Sequence, residues 1–334
     1  MIYPSVIKEN DTIGITATSM GVTSDFDKER LSKAKHNIEN LGFTTKITNN
    51  VFSNSKFTSS TGEIRAQEFM ELWSDNNIKV ISQVRGGELL LEMLPYLDDD
   101  VILKNNPKWV FGYSDSSLLN FYLTTKYDIA TINSSNIMDF AGLPIHKSLL
   151  SIIECMSKDK IEQHSFQLFE QEKIKERINY ILDSPVKYQS LYKKEEITIK
   201  GRIIGGCLEA IIEILGTKYD YVEKFINRHN EKMLWYLDIY DSNPLDLYRK
   251  LWQMKESNWF KNINGIIIGR TRSIKEIEDF SYLDALHRIF DDMKIPVIFD
   301  VDIGHVLPQF SIINGSVGTF IYKNHKGILI QEKK

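Results

Sequence analysis

The sequence predicts an α/β protein with a largely parallel sheet in its N-terminal half and a second, mixed α/β or β-rich domain in its C-terminal half. Short apolar runs alternate with segments of helical periodicity along both halves, which is typical of a largely parallel sheet covered by helices. The chain has 334 residues, enough for two domains. We expect residues 1–156 to form the first domain and residues 199–334 the second. Residues 157–198 are rich in Lys, Glu, Gln and Tyr, and we expect a connector that could fold over a site.

The first half contains strands and helices in regular alternation. DTIGITATS, FTTKITN and VISQV are predicted strands, and small or glycine-rich loops follow the first and the third. Helices are predicted over residues 26–41, 64–73 and 89–96, the first closed by Gly42 and the last stopped near Pro95. Because ligands of parallel sheets bind beyond the carboxyl ends of the strands, three loops are candidates for a site: residues 17–19, 85–87 and 112–116.

The second half resumes the apolar pattern at Ile199. GRIIGGCLEAIIEILGT predicts a strand, a double-glycine turn and a helix closed by Gly216. Further strands are predicted in MLWYLDIYD, INGIIIGR and IPVIFDVDIGH, with helices over residues 245–252 and 280–293. GSVGTFIYKNHKGILIQ predicts a terminal hairpin.

Composition narrows the class of protein. The net charge of −4 gives no basic surface for nucleic acid, and no apolar run reaches membrane-spanning length. The N-terminus lacks the features of a signal peptide, so we expect a cytoplasmic protein without nucleic-acid or membrane partners. Cys155 and Cys207 lie among apolar residues and are predicted to be buried and reduced.

The segment WVFGYSDSSLLN predicts a strand, a tight turn and a helix with Ser114 at the tip of the turn. Such a turn lifts a hydroxyl clear of the sheet and aims a helix N-terminus at whatever the hydroxyl attacks, so Ser114 is a candidate nucleophile. The last glycine of G-x-S-x-G is replaced by Ser116, which is still small. The alternative is a plain helix cap, a common role for serine.

A serine nucleophile needs a base and an acid that orients the base. Among seven histidines, His305 alone follows a predicted buried strand and a glycine at a strand end. Asp238 ends another apolar strand, where burial of a carboxylate is costly without a partner. The order Ser, Asp, His is that of α/β-hydrolases. Two alternatives stay open for His305: a metal site with Asp300 and Asp302, or plain packing.

Five blocks of the sequence also resemble one known family: RGGELLLEMLPYLD, GYSDSS, GRIIGGCLEAIIEILGT, LWYLDIYD with the following LWQMKESNWFKNINGIIIGR, and IPVIFDVDIGHVLP. Together they resemble the LD-carboxypeptidase family of serine peptidases, over residues 3–325 and in the same order. That family includes muramoyl-tetrapeptide carboxypeptidases and microcin C immunity-type peptidases. The resemblance implies a Rossmann-like N-terminal domain that holds the nucleophile, Ser114, and a C-terminal domain that holds the acid and the base, His305. It also suggests a homodimer.

The sequence departs from the family at the acid. The family has a glutamate where this chain has Asp238, which is one methylene shorter. Its carboxylate would fall short of the imidazole unless the backbone shifts or a water bridges the gap. Aspartate orients the histidine in other triads, so Asp238 stays the predicted acid.

An oxyanion site needs two backbone donors near the nucleophile. The N–H of Asp115 is one candidate, and the Gly86–Gly87 loop offers a second because glycine lets a ligand approach the backbone. The resemblance favours Gly87. We expect Arg85 and Gly86 to contact substrate, with a surface ion pair as the alternative for Arg85.

These observations predict a serine peptidase that cleaves an amide near the carboxyl end of its substrate, without a metal or organic cofactor. The resemblance suggests two substrates, a muropeptide or a peptidyl or aminoacyl conjugate of a nucleotide. The alternative is a weak or inactive binding protein on the same scaffold, with the shortened acid as the mark of lost catalysis.

Overall fold

The computed structural model describes residues 1–172, 176, 178–272 and 275–334. Its strands are β1 (Thr12–Thr16), β2 (Thr44–Ile47), β3 (Ile78–Gln83), β4 (Trp109–Gly112), β5 (Thr131–Asn133), β6 (Lys160–His164), β7 (Leu168–Phe169), β8 (Ser184–Pro185), β9 (Gln189–Ser190), β10 (Glu196–Cys207), β11 (Met233–Asp238), β12 (Ile263–Gly269), β13 (Val297–Val301), β14 (Ile312–Asn314), β15 (Val317–Lys323) and β16 (Lys326–Glu332). Its α-helices are α1 (Asp25–Asn40), α2 (Gly62–Ser74), α3 (Asp99–Lys104), α4 (Ser116–Tyr127), α5 (Lys147–Ser157), α6 (Leu208–Ile211), α7 (Val222–Arg228), α8 (Pro244–Glu256) and α9 (Tyr282–Phe290). Short 3₁₀ helices cover Asn49–Phe52, Leu90–Tyr96, Ile137–Ala141 and Ile212–Ile214.

The first sheet has the strand order β14-β5-β4-β3-β1-β2. β1 to β5 are parallel, in the order 2-1-3-4-5 of doubly wound folds, and β14 pairs antiparallel with β5 at one edge. The order reverses between β1 and β3, so their carboxyl ends form the crevice where such sheets bind ligands. The predicted α/β class with a mainly parallel N-terminal sheet is confirmed.

The second sheet has the order β6-β16-β15-β10-β11-β12-β13-β9. Its centre, β10 to β13, is parallel, and β15, β16, β6 and β9 add antiparallel pairs on both sides. The predicted terminal hairpin is the β15–β16 pair. This mixed sheet confirms the prediction for the C-terminal half.

Helix α4 joins the two halves. All its residues except Lys126 are buried, which is expected of a helix with apolar contacts on every side. Phe121 lies 6.1 Å from Trp235 of β11, ring centroid to centroid, in one core that spans both halves. A Cβ on Gly206 of β10 would lie 3.0 Å from the Cβ of Ser117, so the glycine permits this close approach. The helix that follows Ser114 is therefore packed between the two sheets.

Two predicted elements differ from the structure. The double-glycine turn was wrong, because β10 runs straight through Gly205 and Gly206 to Cys207. A Cβ on Gly205 would lie 1.9 Å from the carbonyl oxygen of Tyr236, so these glycines serve close strand packing rather than a turn. The helix predicted over residues 89–96 is a 3₁₀ helix containing Pro95, which cannot donate a helical hydrogen bond.

Residues 157–198 do more than connect. β6 and β9 from this segment form the two edges of the second sheet, and β7 pairs with β8. Part of the predicted connector, residues 173–175 and 177, lies outside the described residues. The division at 156 and 199 stays a prediction, and β14 from the C-terminal half pairs with the first sheet. No helix within the described ranges is long and apolar enough to cross a membrane.

Candidate functional site

Ser114 occupies a strained turn between a strand and a helix. β4 ends at Gly112 and α4 begins at Ser116, and Ser114 itself has a φ of +64°, in the left-handed region that L residues seldom adopt. The left-handed residue of the turn is therefore Ser114 itself and not Gly112, which lies two residues earlier. The capping alternative was wrong, because Asp115 is the N-cap residue and no side chain caps this helix. A strained, half-exposed serine at a crevice is typical of a functional position.

The structure brings Ser114, His305 and Asp238 together from three separate strand ends. Nε2 of His305 lies 3.0 Å from Oγ of Ser114, and Nδ1 of His305 lies 2.8 Å from Oδ2 of Asp238. The Asp238 side chain is buried and the His305 side chain is 14% exposed. This is the spacing that a nucleophile, a general base and an orienting acid require. The shorter acid reaches the imidazole without a bridging water, so the expected shortfall is not found.

The loop that carries His305 packs closely against Asp238, which explains how the short aspartate side chain reaches the imidazole. Gly304 has a φ of +84°, and a Cβ there would lie 1.8 Å from Oδ1 of Asp238. The backbone N–H of His305 donates to the same Oδ1 at 3.3 Å. The contact between Oδ2 and Nδ1 is close but bent, since neither atom meets hydrogen-bond geometry with any described residue. The loop thus places the imidazole close to the acid, although the contact between Nδ1 and Oδ2 is not well aligned.

Two aromatic rings also contact His305. The centroid of the Tyr240 ring lies 4.4 Å from that of the imidazole, and the Tyr113 ring lies at 5.0 Å. Burial raises the pKa of the Tyr113 hydroxyl well above its usual value, so this ring stays neutral. Sequence analysis did not identify either tyrosine, although each lies within two residues of a predicted catalytic residue.

Cys207 completes the immediate surroundings. Its sulfur and the ligand atoms of Asp238 and His305 lie within 4.8 Å of one another. Burial, reinforced by nearby Asp238, raises the pKa of the Cys207 thiol well above its usual value. Because thiolates and not thiols bind metals tightly, this trio is a poor metal site. Sequence analysis missed the contact, since only the pairing of β10 with β11 places Cys207 beside Asp238.

The alternative metal site at Asp300, Asp302 and His305 is not formed. Among the described residues, these three do not gather their ligand atoms. Asp302 accepts from the hydroxyl of Tyr188 and pairs with Arg270, while Asp300 accepts from another side chain outside the cavity of Ser114. Arg270 is therefore engaged by Asp302 and is not among the residues that line the cavity of Ser114.

The Gly86–Gly87 loop lies directly against Ser114. A Cβ on Gly86 would lie 2.7 Å from the Cβ of Ser114, and one on Gly87 would lie 2.3 Å from Oγ of Ser19. The carboxylate of Asp115 accepts from Oγ of Ser19 at 2.5 Å and from the N–H of Leu90 at 2.9 Å, which fastens the loop to the turn. Within the described part of the chain, the N–H groups of Gly87 and Asp115 have no hydrogen-bond acceptor.

Arg85 lies at the edge of a cavity of about 330 Å³ that Gly86, Ser114 and His305 also line. Its Nη1 lies 3.1 Å from Oδ2 of Asp27, and the side chain is 35% exposed. Both expectations for Arg85 thus have support: it has an ion pair, and it faces the cavity. Arg30, which sequence analysis did not identify, lines the same cavity and pairs with Asp139.

A second cavity, also of about 330 Å³, borders Ser114. It is lined by Gly87, Asp115, Cys207, Glu209 and Tyr240 among others. Ser114, Gly87 and Tyr240 line both cavities. A substrate with groups on both sides of a scissile bond would have room on each side of the serine.

Comparisons with known proteins identify the family of the chain. The family models described as the LD-carboxypeptidase N-terminal and C-terminal domains match residues 13–134 and 200–320. The chain is 27% identical over 320 residues to the putative carboxypeptidase YocD of Bacillus subtilis, covering 92% of each chain. It is 25% identical over 338 residues to the microcin C7 self-immunity protein MccF of Escherichia coli, covering 97% of this chain and 94% of that one.

Solved structures show the same fold. A MccF-like protein from Bacillus anthracis superposes with a TM-score of 0.85 at 24% identity, over the full length of both chains. MccF in complex with aspartyl sulfamoyl adenosine superposes with a TM-score of 0.83 at 21% identity, over 100% of this chain and 99% of that one. Since the two family models together match most of the chain, the protein belongs to the LD-carboxypeptidase family.

Proposed function

We propose that this protein is a serine-type amide hydrolase in which Ser114 attacks, His305 transfers the proton and Asp238 orients His305. The observation that carries the proposal is the pair of contacts at His305, 3.0 Å to Oγ of Ser114 and 2.8 Å to Oδ2 of Asp238. An isolated serine or a buried Asp–His pair has many structural roles. The two contacts in series, on a serine in a strained turn beside two cavities, favour nucleophilic catalysis.

The reaction follows from these positions. Oγ of Ser114 bonds to the amide carbon while its proton passes to Nε2 of His305. The carbonyl oxygen, now negative, accepts from the N–H groups of Gly87 and Asp115, which the fastened loop keeps in place. The C–N bond then breaks, and His305 returns the proton to the leaving nitrogen. Water hydrolyses the acyl-enzyme with His305 again as base, releasing a carboxylate and free Ser114.

Two substrate classes fit the proposal: a muropeptide cleaved as by an L,D-carboxypeptidase, and a peptidyl or aminoacyl conjugate of a nucleotide. Relatives are named as putative carboxypeptidases, and MccF structures contain AMP or aspartyl sulfamoyl adenosine. In both classes acidic oxygen atoms lie near the scissile nitrogen, from the carboxylate of a released amino acid or from the phosphoryl or sulfamoyl group of a nucleotide conjugate. Arg85 and Arg30, which line the cavity beside His305, supply cationic donors for such a group. Cytoplasmic location and a homodimer stay predictions.

The test is hydrolysis of a muropeptide tetrapeptide and of an aminoacyl sulfamoyl adenosine by the wild type, with a chelator present. Ser114→Ala is expected to abolish cleavage. Ser116→Ala is the matched control, because its hydroxyl lies in the same turn, is buried and has no hydrogen-bond partner among the described residues. Cleavage that survives in Ser114→Ala, or that the chelator abolishes, would refute the serine mechanism.

The bent contact at Asp238 supports a second candidate, a binding protein with little turnover. It predicts that both ligands bind in calorimetry without being cleaved and that a fluorophosphonate does not label Ser114. Labelling of the wild type, absent in Ser114→Ala, would exclude it.

A further inference from the structure

The loop that follows Asp238 is fastened by a single carboxylate. Oε1 of Glu209 accepts from the N–H of Asp241 at 3.3 Å, from the N–H of Ser242 at 3.1 Å and from Oγ of Ser242 at 2.6 Å. Oε2 of Glu209 accepts from the N–H of Tyr240 at 3.2 Å. Hydrogen bonds to an ionised acceptor are roughly twice as strong as neutral ones, so four of them hold the loop firmly.

Glu209 is ionised in this position. Burial alone would raise the pKa of its carboxyl, but the hydrogen bond from Ser242, the charge of Lys250 and the N–H of Tyr240 outweigh burial, so the pKa is lowered. Nζ of Lys250 lies 4.0 Å from Oε1 and donates to Oγ of Ser242 at 2.7 Å. Among the described residues, the Cys207 thiol also contacts the carboxylate and donates to Oε2 at 3.4 Å.

The loop matters because Tyr240 connects it to the imidazole. The Tyr240 ring lies 4.4 Å from the His305 ring, centroid to centroid, and 46% of the residue is exposed. On the acid side, the contact of Asp238 with Nδ1 is bent. An imidazole with a poorly directed acid depends more on the surfaces around it to keep its plane toward Ser114.

We propose that Glu209 is a positioning residue, which fixes the 240–242 loop so that the Tyr240 ring holds His305 in line between Asp238 and Ser114. The inference rests on the proposed hydrolase function. Glu209 does not touch the reacting atoms; it acts through four hydrogen bonds on the loop and one ring contact on the base.

The first test replaces Glu209 by Gln. The amide keeps the size of the side chain, but it removes the charge, and in either orientation its NH₂ faces at least one backbone N–H donor, so the anchor of the loop is weakened. We expect kcat to fall by roughly ten- to a hundredfold, the cost of a base displaced by up to about 1 Å, with KM changed less than about twofold. Labelling of Ser114 by a small fluorophosphonate is expected to slow by the same factor, since that probe lacks the groups that the cavities would bind.

Three further variants complete the design. Glu209→Asp restores the charge and is expected to recover part of the lost kcat. Tyr240→Leu removes the ring contact without touching the anchor and is expected to reproduce the slow labelling. Glu223→Gln is the matched control, since Glu223 is an exposed carboxylate whose ion pair is with Lys261.

The outcomes separate the inference from the function on which it rests. If the wild type hydrolyses its substrate, Ser114→Ala does not, and Glu209→Gln keeps the kcat and labelling rate of Glu223→Gln, the inference is wrong and the function stands. A change in KM alone would also overturn it. If Glu209→Gln does not fold, as judged by circular dichroism, Tyr240→Leu decides: normal labelling of Ser114 in that variant refutes the inference. If the wild type neither hydrolyses a substrate nor is labelled at Ser114 by the fluorophosphonate, the proposed function is wrong, and the inference that rests on it is wrong as well.

Discussion

Substitution of Gly304 by Ala is expected to separate backbone strain from loss of the catalytic contact. Gly304 has a φ of +84°, where an L residue costs about 1–2 kcal/mol. In addition, its new Cβ would lie 1.8 Å from Oδ1 of Asp238, whereas real Cβ contacts stay above 3.0 Å. The acid or the His305 loop must therefore move by more than 1 Å.

The effect on catalysis follows from that displacement. A misplacement of about 1 Å costs roughly a hundredfold in rate, and full loss of the orienting acid costs about ten thousandfold. We expect kcat of Gly304→Ala to fall between these limits, with KM little changed. Steady-state hydrolysis measures both constants, and urea unfolding measures the loss of stability.

Gly216→Ala is the matched control. Gly216 has a φ of +71°, but a Cβ there would meet nothing within 4 Å. It should therefore lose about 1–2 kcal/mol of unfolding free energy and keep full activity. If Gly304→Ala is as active as Gly216→Ala, the argument that close approach of this loop lets the short acid reach His305 is wrong.

Three further results are expected. Asp238→Asn should lower kcat by about ten thousandfold while substrate binding in calorimetry persists, because the imidazole loses its orienting charge; a fall of less than about tenfold would contradict the assignment. The pKa of Asp128 is lowered to about 2: burial opposes this, but His229 and the N-terminal ammonium outweigh it. Its stabilising effect is therefore present above about pH 4 and is lost as pH falls toward 2, so Asp128→Asn should lower the urea midpoint at pH 6 but not near pH 2. Because burial raises the pKa of the Cys207 thiol well above its usual value, iodoacetamide at pH 8 should leave Cys207 unmodified in the folded protein and alkylate it in urea, as mass spectrometry would show.

Local patterns in the sequence were sufficient for much of the fold. Apolar strands ending in small-residue loops predicted β1, β3 and β4 at one crevice. Predictions failed where a distant partner decides the local shape. Gly205 and Gly206 look like a turn in sequence, yet the neighbouring strand keeps them extended.

The site shows the same division. The sequence by itself determined which side chains could act, because Ser114, Asp238 and His305 each end or follow a strand, and strand ends are recognisable from local periodicity. Only the tertiary structure decided that the shortened acid reaches its base. That distance depends on how two loops from different strands pack, with Gly304 against Asp238. Glu209 and Tyr240 lie 31 residues apart in the sequence, and no local pattern predicts the hydrogen bond between them. Periodicity reports which face of an element is buried, whereas contacts between side chains distant in sequence exist only once the chain has folded.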